Sequence, residues 1–174
     1  VTEISASARP FASRIPGLLV AGALMLAGTL PATAQTEMGF GASGDPSAPI
    51  EVNSDNLSVD QQDGSAVFEG NVRIAQNEMR LSADQVQVFY DADGEAIDTL
   101  RASGQVLLVS GEDSAEAETA DYNVHGGIIL MQGNVMLLRG ASVVTSQKMN
   151  VDLASGTARL EGNVRTVLQQ QGKN

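Results

Sequence analysis

The sequence predicts an all-β protein, with two facing sheets packed as a sandwich or jelly roll, assembled from four tandem units and open at both ends. Three observations carry this. Apolar and polar residues alternate with period two through much of residues 50–168, which turns one face of an extended strand toward a core and the other toward water. A hydrophobic-x-Gly-Asn-Val pattern recurs, with its glycines at 70, 104, 133 and 162, spaced by 34, 29 and 29 residues. Hydrophobic residues make up 43% of the chain but aromatics only 3%, and Trp is absent, so Val, Leu, Ile, Met and Ala must fill the interior.

Residues 1–34 read as an export signal rather than as part of the fold. Arg9 and Arg14 precede an apolar run from Leu18 to Leu30, and Ala32-Thr33-Ala34 supplies the small residues of a cleavage site. The run is 13 residues long, short of the ~20 that a spanning helix needs, which favours cleavage after Ala34 over a retained anchor. Losing Glu3, Arg9 and Arg14 would take the formal charge from −11 to −12. Residues 35–49 are rich in Gly, Ser and Pro without apolar periodicity and are expected to form a flexible leader. The β-domain occupies 50–168, and 169–174 is a polar tail.

Within the domain the repeated pattern is Phe68-Glu69-Gly70-Asn71-Val72, Ala102-Ser103-Gly104-Gln105-Val106, Met131-Gln132-Gly133-Asn134-Val135 and Leu160-Glu161-Gly162-Asn163-Val164. A second element precedes each copy: Ser54-Asp55-Asn56-Leu57-Ser58-Val59, Ala83-Asp84-Gln85-Val86-Gln87-Val88, Ala117-Glu118-Thr119-Ala120-Asp121-Tyr122 and Ser146-Gln147-Lys148-Met149-Asn150-Val151. Gly64, Gly94, Gly127 and Gly156 fall in the turns between the two elements, and the second unit carries a five-residue insertion there. The alternation places Ala66, Phe68, Val72 and Ile74 inward in the first unit, and Leu100, Ala102, Val106 and Leu108 in the second. In the last unit it places Ala158, Leu160, Val164, Thr166 and Leu168 inward. A helical period would scatter these residues around a cylinder. A glycine in the middle of each apolar face lets a long strand kink or bulge, so that its two halves serve different sheets.

Several chemistries have no support. A strongly acidic surface repels phosphate backbones and argues against nucleic-acid binding. The absence of Cys removes disulfides and thiolate metal sites. His125, the sole histidine, precedes Gly126-Gly127 and reads as a solvated turn residue without triad or zinc partners. Asp91-Ala92-Asp93-Gly94-Glu95 begins like a calcium loop, but Ala102 stands where the twelfth-position Glu belongs. Glu112, Asp113, Glu116 and Glu118 read as a charged hairpin turn. The expectation is a protein that is not an enzyme, with no catalytic residues, metal or cofactor.

The repeated Ala-Asp-x-hydrophobic-x-hydrophobic element, Gly turn and Gly-Asn-Val element resemble the OstA (LptA-type) lipopolysaccharide-transport family over Ile50 to Leu168. Gln105, Glu118 and Ser146-Gln147 depart from that pattern. The resemblance implies a twisted β-jelly roll in the periplasm that joins head to tail, through sheet edges, with itself and with LptC-like and LptD-like domains. It further implies that lipopolysaccharide moves along the shared groove with its lipid A acyl chains sheltered. On that basis the expected lining is Phe68, Val72, Ile74, Val86, Val88 and Val106, followed by Leu108, Met131, Val135, Leu137, Met149 and Val164. For each of these, packing in a dry core is the competing role. In the third unit Ile128, Leu130, Met136 and Leu138 make the second strand face apolar as well, fitting either a covering loop or a contact surface. Arg73, Arg80, Arg139, Arg159 and Arg165 are candidates for a basic rim facing an anionic cargo. A membrane-anchored LptC-like component and a structural β-solenoid without cargo are the alternatives.

Overall fold

In a computed structural model the chain is described over residues 36–41, 45–60 and 64–168. The expected signal peptide and polar tail lie outside the described residues. Among the described residues all regular structure is β, as predicted: β1 Thr36–Gly39, β2 Glu51–Asn53, β3 Asn56–Asp60, β4 Ser65–Gln76, β5 Met79–Tyr90, β6 Ile97–Ser110, β7 Asp113–Asn123, β8 Ile128–Arg139, β9 Ser142–Asp152, β10 Thr157–Glu161 and β11 Arg165–Val167. They form one open antiparallel sheet of order β1-β10-β9-β8-β7-β6-β5-β4-β2, with β3 also on β4 and β11 also on β9.

The sheet has two arms. The register shifts between Glu69 and Val72 of β4, Ser103 and Val106 of β6, and Gln132 and Val135 of β8, each time across a repeat glycine and the residue after it. On one side of this corner β3 pairs with the first half of β4, and β10 pairs with residues 148–152 of β9. On the other side β2 pairs with the second half of β4, and β11 pairs with residues 143–145 of β9. We call the two sides the β3 arm and the β2 arm.

The corner itself is built from paired left-handed residues. Gly70-Asn71, Gly104-Gln105, Gly133-Asn134 and Gly162-Asn163 all have positive φ, between 46° and 83°. Glycine tolerates this at no steric cost, and Asn tolerates it better than most residues. Gly is also demanded by space: a Cβ on Gly133 would stand 2.5 Å from Glu118 Oε2 and 2.8 Å from Glu118 Cβ. Asp55, Asp84 and Gln147 press on Gly70, Gly104 and Gly162 in the same way. The following side chain then bonds that neighbour, Asn71 Nδ2 donating to Asp55 at 2.8 Å and Asn134 Nδ2 to Glu118 at 2.6 Å. The departures at Gln105, Glu118 and Gln147 are thereby explained. Each keeps a polar side chain in the corner, although Gln105 reaches Asp84 only at 3.4 Å.

Three sequence expectations fail. The presumed flexible leader contributes β1, which pairs with β10, and Phe40, which is 1% exposed in the core. A lone aromatic in a Gly-Ser stretch has no periodicity to reveal it, yet its ring gains ~2 kcal/mol or more by leaving water. Thr166 and Leu168 do not enter the core; Leu168 is 71% exposed, since β11 is an edge strand paired only with β9 and Leu168 lies just beyond it. The acidic cluster also divides. Asp113 is buried and accepts from the backbone N–H of Gly41, and Glu118 sits in the corner rather than in a turn.

Candidate functional site

The inward side chains of both arms form one continuous apolar interior. Cross-strand register sets them in rows. On the β3 arm one row runs Leu57, Phe68, Val86, Ala102, Ala120, Met131, Met149 and Leu160. On the β2 arm a row runs Val52, Ile74, Leu81, Leu108, Ala115, Leu137, Val144 and Thr166. Alanines stand in the middle of each row, with larger aliphatic side chains on either side of them.

The nominated residues fall as follows. Phe68, Val86, Val88, Met131 and Met149 project from the β3 arm, and Val72, Ile74, Val106, Leu108, Val135 and Leu137 from the β2 arm, so the two groups share one interior. Of the twelve, ten are between 0% and 2% exposed; Phe68 and Val164 are half-buried at opposite ends. Most of the proposed lining is therefore packed against itself.

The interior opens at its ends. On β3, an edge strand paired only with β4, Leu57 is 56% and Val59 66% exposed, although both extend rows of the interior. At the far end β11 pairs only with β9, and Thr166 and Leu168 are exposed. Each end of the sheet thus shows exposed side chains on an edge strand or just after it. Leu57 and Val59 were not singled out by sequence, although their alternation in Ser54–Val59 marks them as a strand face. Near one rim the Tyr122 hydroxyl donates to Gln76 Oε1 at 2.6 Å, tying the arms together, and burial pushes the Tyr122 pKa up.

The five arginines do not gather into one rim. Arg139 faces Asp113 at 3.8 Å, and Arg159 is bonded to Glu37. Arg73 and Arg80 line a shallow outer pocket that also holds Glu51, and Arg165 lies on β11. Outer-face Ile128, Leu130, Met136 and Leu138 are half-buried among their neighbours. His125 is a largely exposed turn residue 3.6 Å from Asp98. Asp91 accepts from the Glu95 N–H within its own turn, which holds its carboxyl below the usual range. Among the described residues no group of three or more His, Asp or Glu is arranged to hold a metal.

Residues 51–157, the span containing both arms and three of the four corner glycines, match the family model described as LptA/(LptD N-terminal domain) LPS transport protein. The chain belongs to this family. An uncharacterized protein of Rhizobium meliloti (strain 1021) is 31% identical over 153 residues, covering 82% of this chain and 81% of that protein. The lipopolysaccharide export system protein LptA of Escherichia coli (strain K12) is 25% identical over 137 residues, covering 75% of this chain and 70% of that one. In fold the chain is similar to LptH, the LptA-homologous periplasmic component of the lipopolysaccharide transport device of Pseudomonas aeruginosa. The TM-score is 0.64 at 16% identity, over 73% of this chain and 99% of that chain.

Proposed function

We propose that the protein is a periplasmic carrier whose two arms act as the sheets of a jelly roll and pass lipopolysaccharide along the interior between them. The observation that carries this reading is the exposure of apolar side chains at both ends of the sheet, Leu57 and Val59 on β3 at one end and Leu168 just after β11 at the other. A soluble chain gains nothing by exposing them, whereas a second domain stacked end to end would cover them and prolong the interior. Sheet edges suit that stacking, since an added strand completes an open hydrogen-bond ladder. Each acyl methylene taken from water contributes ~0.8 kcal/mol, so partial shelter of several chains holds lipid without any polar contact. Partners would be further copies of this chain and LptC-like and LptD-like domains. The role requires binding and hand-over, not catalysis.

Photocrosslinking residues at Leu57, Val59, Val106 and Leu137 test the path. Capture of lipopolysaccharide is expected first at the two end positions. Bulk binding without capture at any of the four positions would reject an interior route. Deleting Val164–Leu168 should abolish concentration-dependent oligomers in light scattering, and a wild-type monomer at high concentration would reject self-assembly. N-terminal sequencing of the exported protein should begin at Gln35; a retained N-terminus would favour the anchored LptC-like role.

The burial of ten nominated residues favours one other reading, a structural β-protein with a dry interior and no cargo. Lipid co-purifying with the native protein would count against it.

A further inference from the structure

The arms meet at the corner, and their hairpin turns form two free rims on the opposite side. Phe40 and Gly41, which precede β2, bond to both rims, and residues 45–50 make further contacts there. The Phe40 N–H donates to Gly156 O at 2.8 Å on the β3-arm rim. The Gly41 N–H donates to Asp113 Oδ2 at 2.9 Å on the β2-arm rim. Further along, Gln76 Nε2 donates to the carbonyls of Pro46 and Ala48, and Asn77 Nδ2 to that of Asp45. Pro46, Ala48 and Ile50 also line a shallow pocket with Ile97, Val124 and His125 of the β3-arm rim. Gln76 joins the two systems, because its Oε1 accepts from Tyr122 of the other arm.

We propose that Phe40 occupies the seat of one cargo acyl chain, and that Phe40–Gly41 with Asp45–Ile50 form a strap that lipid displaces when it enters between the rims. The inference rests on the carrier reading above and adds to it a lateral entrance and a competitor built into the chain. Three facts support it. Among the described residues Phe40 and Leu153 are the buried core side chains supplied from outside the strands, and Phe40, 1% exposed, is part of the apolar core cluster. Such a seat is selective for apolar bulk, which an acyl chain supplies as well as a phenyl ring. The strap is also held mainly by single hydrogen bonds to its backbone rather than by a full ladder, so its release breaks few bonds and leaves the arms intact. Finally, ten of the twelve nominated lining residues are inaccessible while the strap is in place, so a cargo entering from the side must move something. A competitor that must leave first lowers apparent affinity by the fraction of molecules in which the seat is empty.

Hydrogen exchange on the wild-type chain tests this without any substitution. Added lipopolysaccharide should speed exchange of the Phe40 and Gly41 amides roughly tenfold or more, while the central amides of β6 and β7 stay protected. Phe40→Ala should bind lipopolysaccharide roughly ten- to a hundredfold more tightly, the span that burial of one large apolar side chain covers. Phe40→Leu, which keeps most of the packing, should fall between and serves if the alanine variant does not fold. Lipopolysaccharide bound with both amides still protected would overturn the proposal, as would unchanged or weaker binding by a folded Phe40→Ala. If neither protein binds lipopolysaccharide but the alanine variant gains uptake of a fluorescent fatty acid, the seat stands and the lipopolysaccharide reading falls. If the alanine variant gains neither ligand, the seat itself is refuted.

Discussion

Replacing Gly133 by Ala isolates what holds the two arms at their angle. Gly133 has φ +83°, and the new Cβ would lie 2.5 Å from Glu118 Oε2, 2.7 Å from Cδ and 2.8 Å from Cβ. The carboxylate can swing aside, but Glu118 Cβ is fixed to its backbone, so β7 or β8 has to shift. A left-handed alanine costs about 1–2 kcal/mol and forced overpacking about 1–3 kcal/mol, giving a central loss of about 3 kcal/mol. Gly140 is the control: its φ is +56°, but nothing lies within 4 Å of its added Cβ, so only the conformational part remains. At about 4 °C per kcal/mol for a domain of this size, Gly133→Ala should lower Tm by about 12 °C and Gly140→Ala by about 4–8 °C. Scanning calorimetry or urea unfolding measures both. Glu118→Gly should recover part of the loss in the double variant, whereas Glu118→Ala, which keeps the offending Cβ, should not. Equal losses at Gly133 and Gly140 would refute the claim that close approach, and not backbone conformation alone, reserves the corner for glycine.

Other expectations follow from the same contacts. Tyr122→Phe removes a buried 2.6 Å bond to Gln76 and should cost about 1–3 kcal/mol in urea unfolding. In the wild type the raised Tyr122 pKa makes stability fully present below pH ~10 and lost as pH rises through the folded value; the phenylalanine variant should lack that alkaline loss. At the acid side, the Ser155 N–H, helped by the Ser155 side chain and the Ala154 N–H, holds the Asp152 carboxyl below its ordinary value. The charged form is thus favoured in the native state. Its stabilisation is present above the unfolded pKa of ~4 and lost as pH falls through the folded one, so a Tm–pH profile should be flatter in Asp152→Asn between pH 2 and 5. Leu137→Ala, at a site with 0% exposure, should cost about 2–5 kcal/mol by chemical denaturation.

The β-strands and most of the interior were legible because period-two alternation is a direct imprint of a half-buried sheet. Val72, Val106, Val135 and Leu160 lie where that pattern placed them. The recurrence of Gly-Asn also located the corner, although the sequence did not reveal why Asp55, Asp84 and Glu118 precede it. That reason is a contact with a neighbouring strand and has no local signature. Phe40 was missed because one side chain in an irregular segment carries no period, and only the fold brings Gly156 and Asp113 to either side of it. Thr166 and Leu168 were misplaced for the opposite reason. Their alternation is real, but β11 is an edge strand paired only with β9, and alternation alone does not say which strands lie at an edge. The dispersal of the arginines likewise depends on register, which sets Arg159 beside Glu37 across a gap of more than a hundred residues.

Each left-handed Gly-Asn step is braced by the neighbour that runs just before it, so the bend is decided locally and again in every hairpin pair. The enlarged turn of residues 91–96 illustrates this, since the bend at Gly104 is made from the same parts as the others despite the extra chain upstream. Gain or loss of a whole hairpin pair would therefore alter the length of the interior while leaving its cross-section unchanged. Under the proposed carrier reading, width would have to match the cargo and length the distance covered, and this architecture lets the two be adjusted separately.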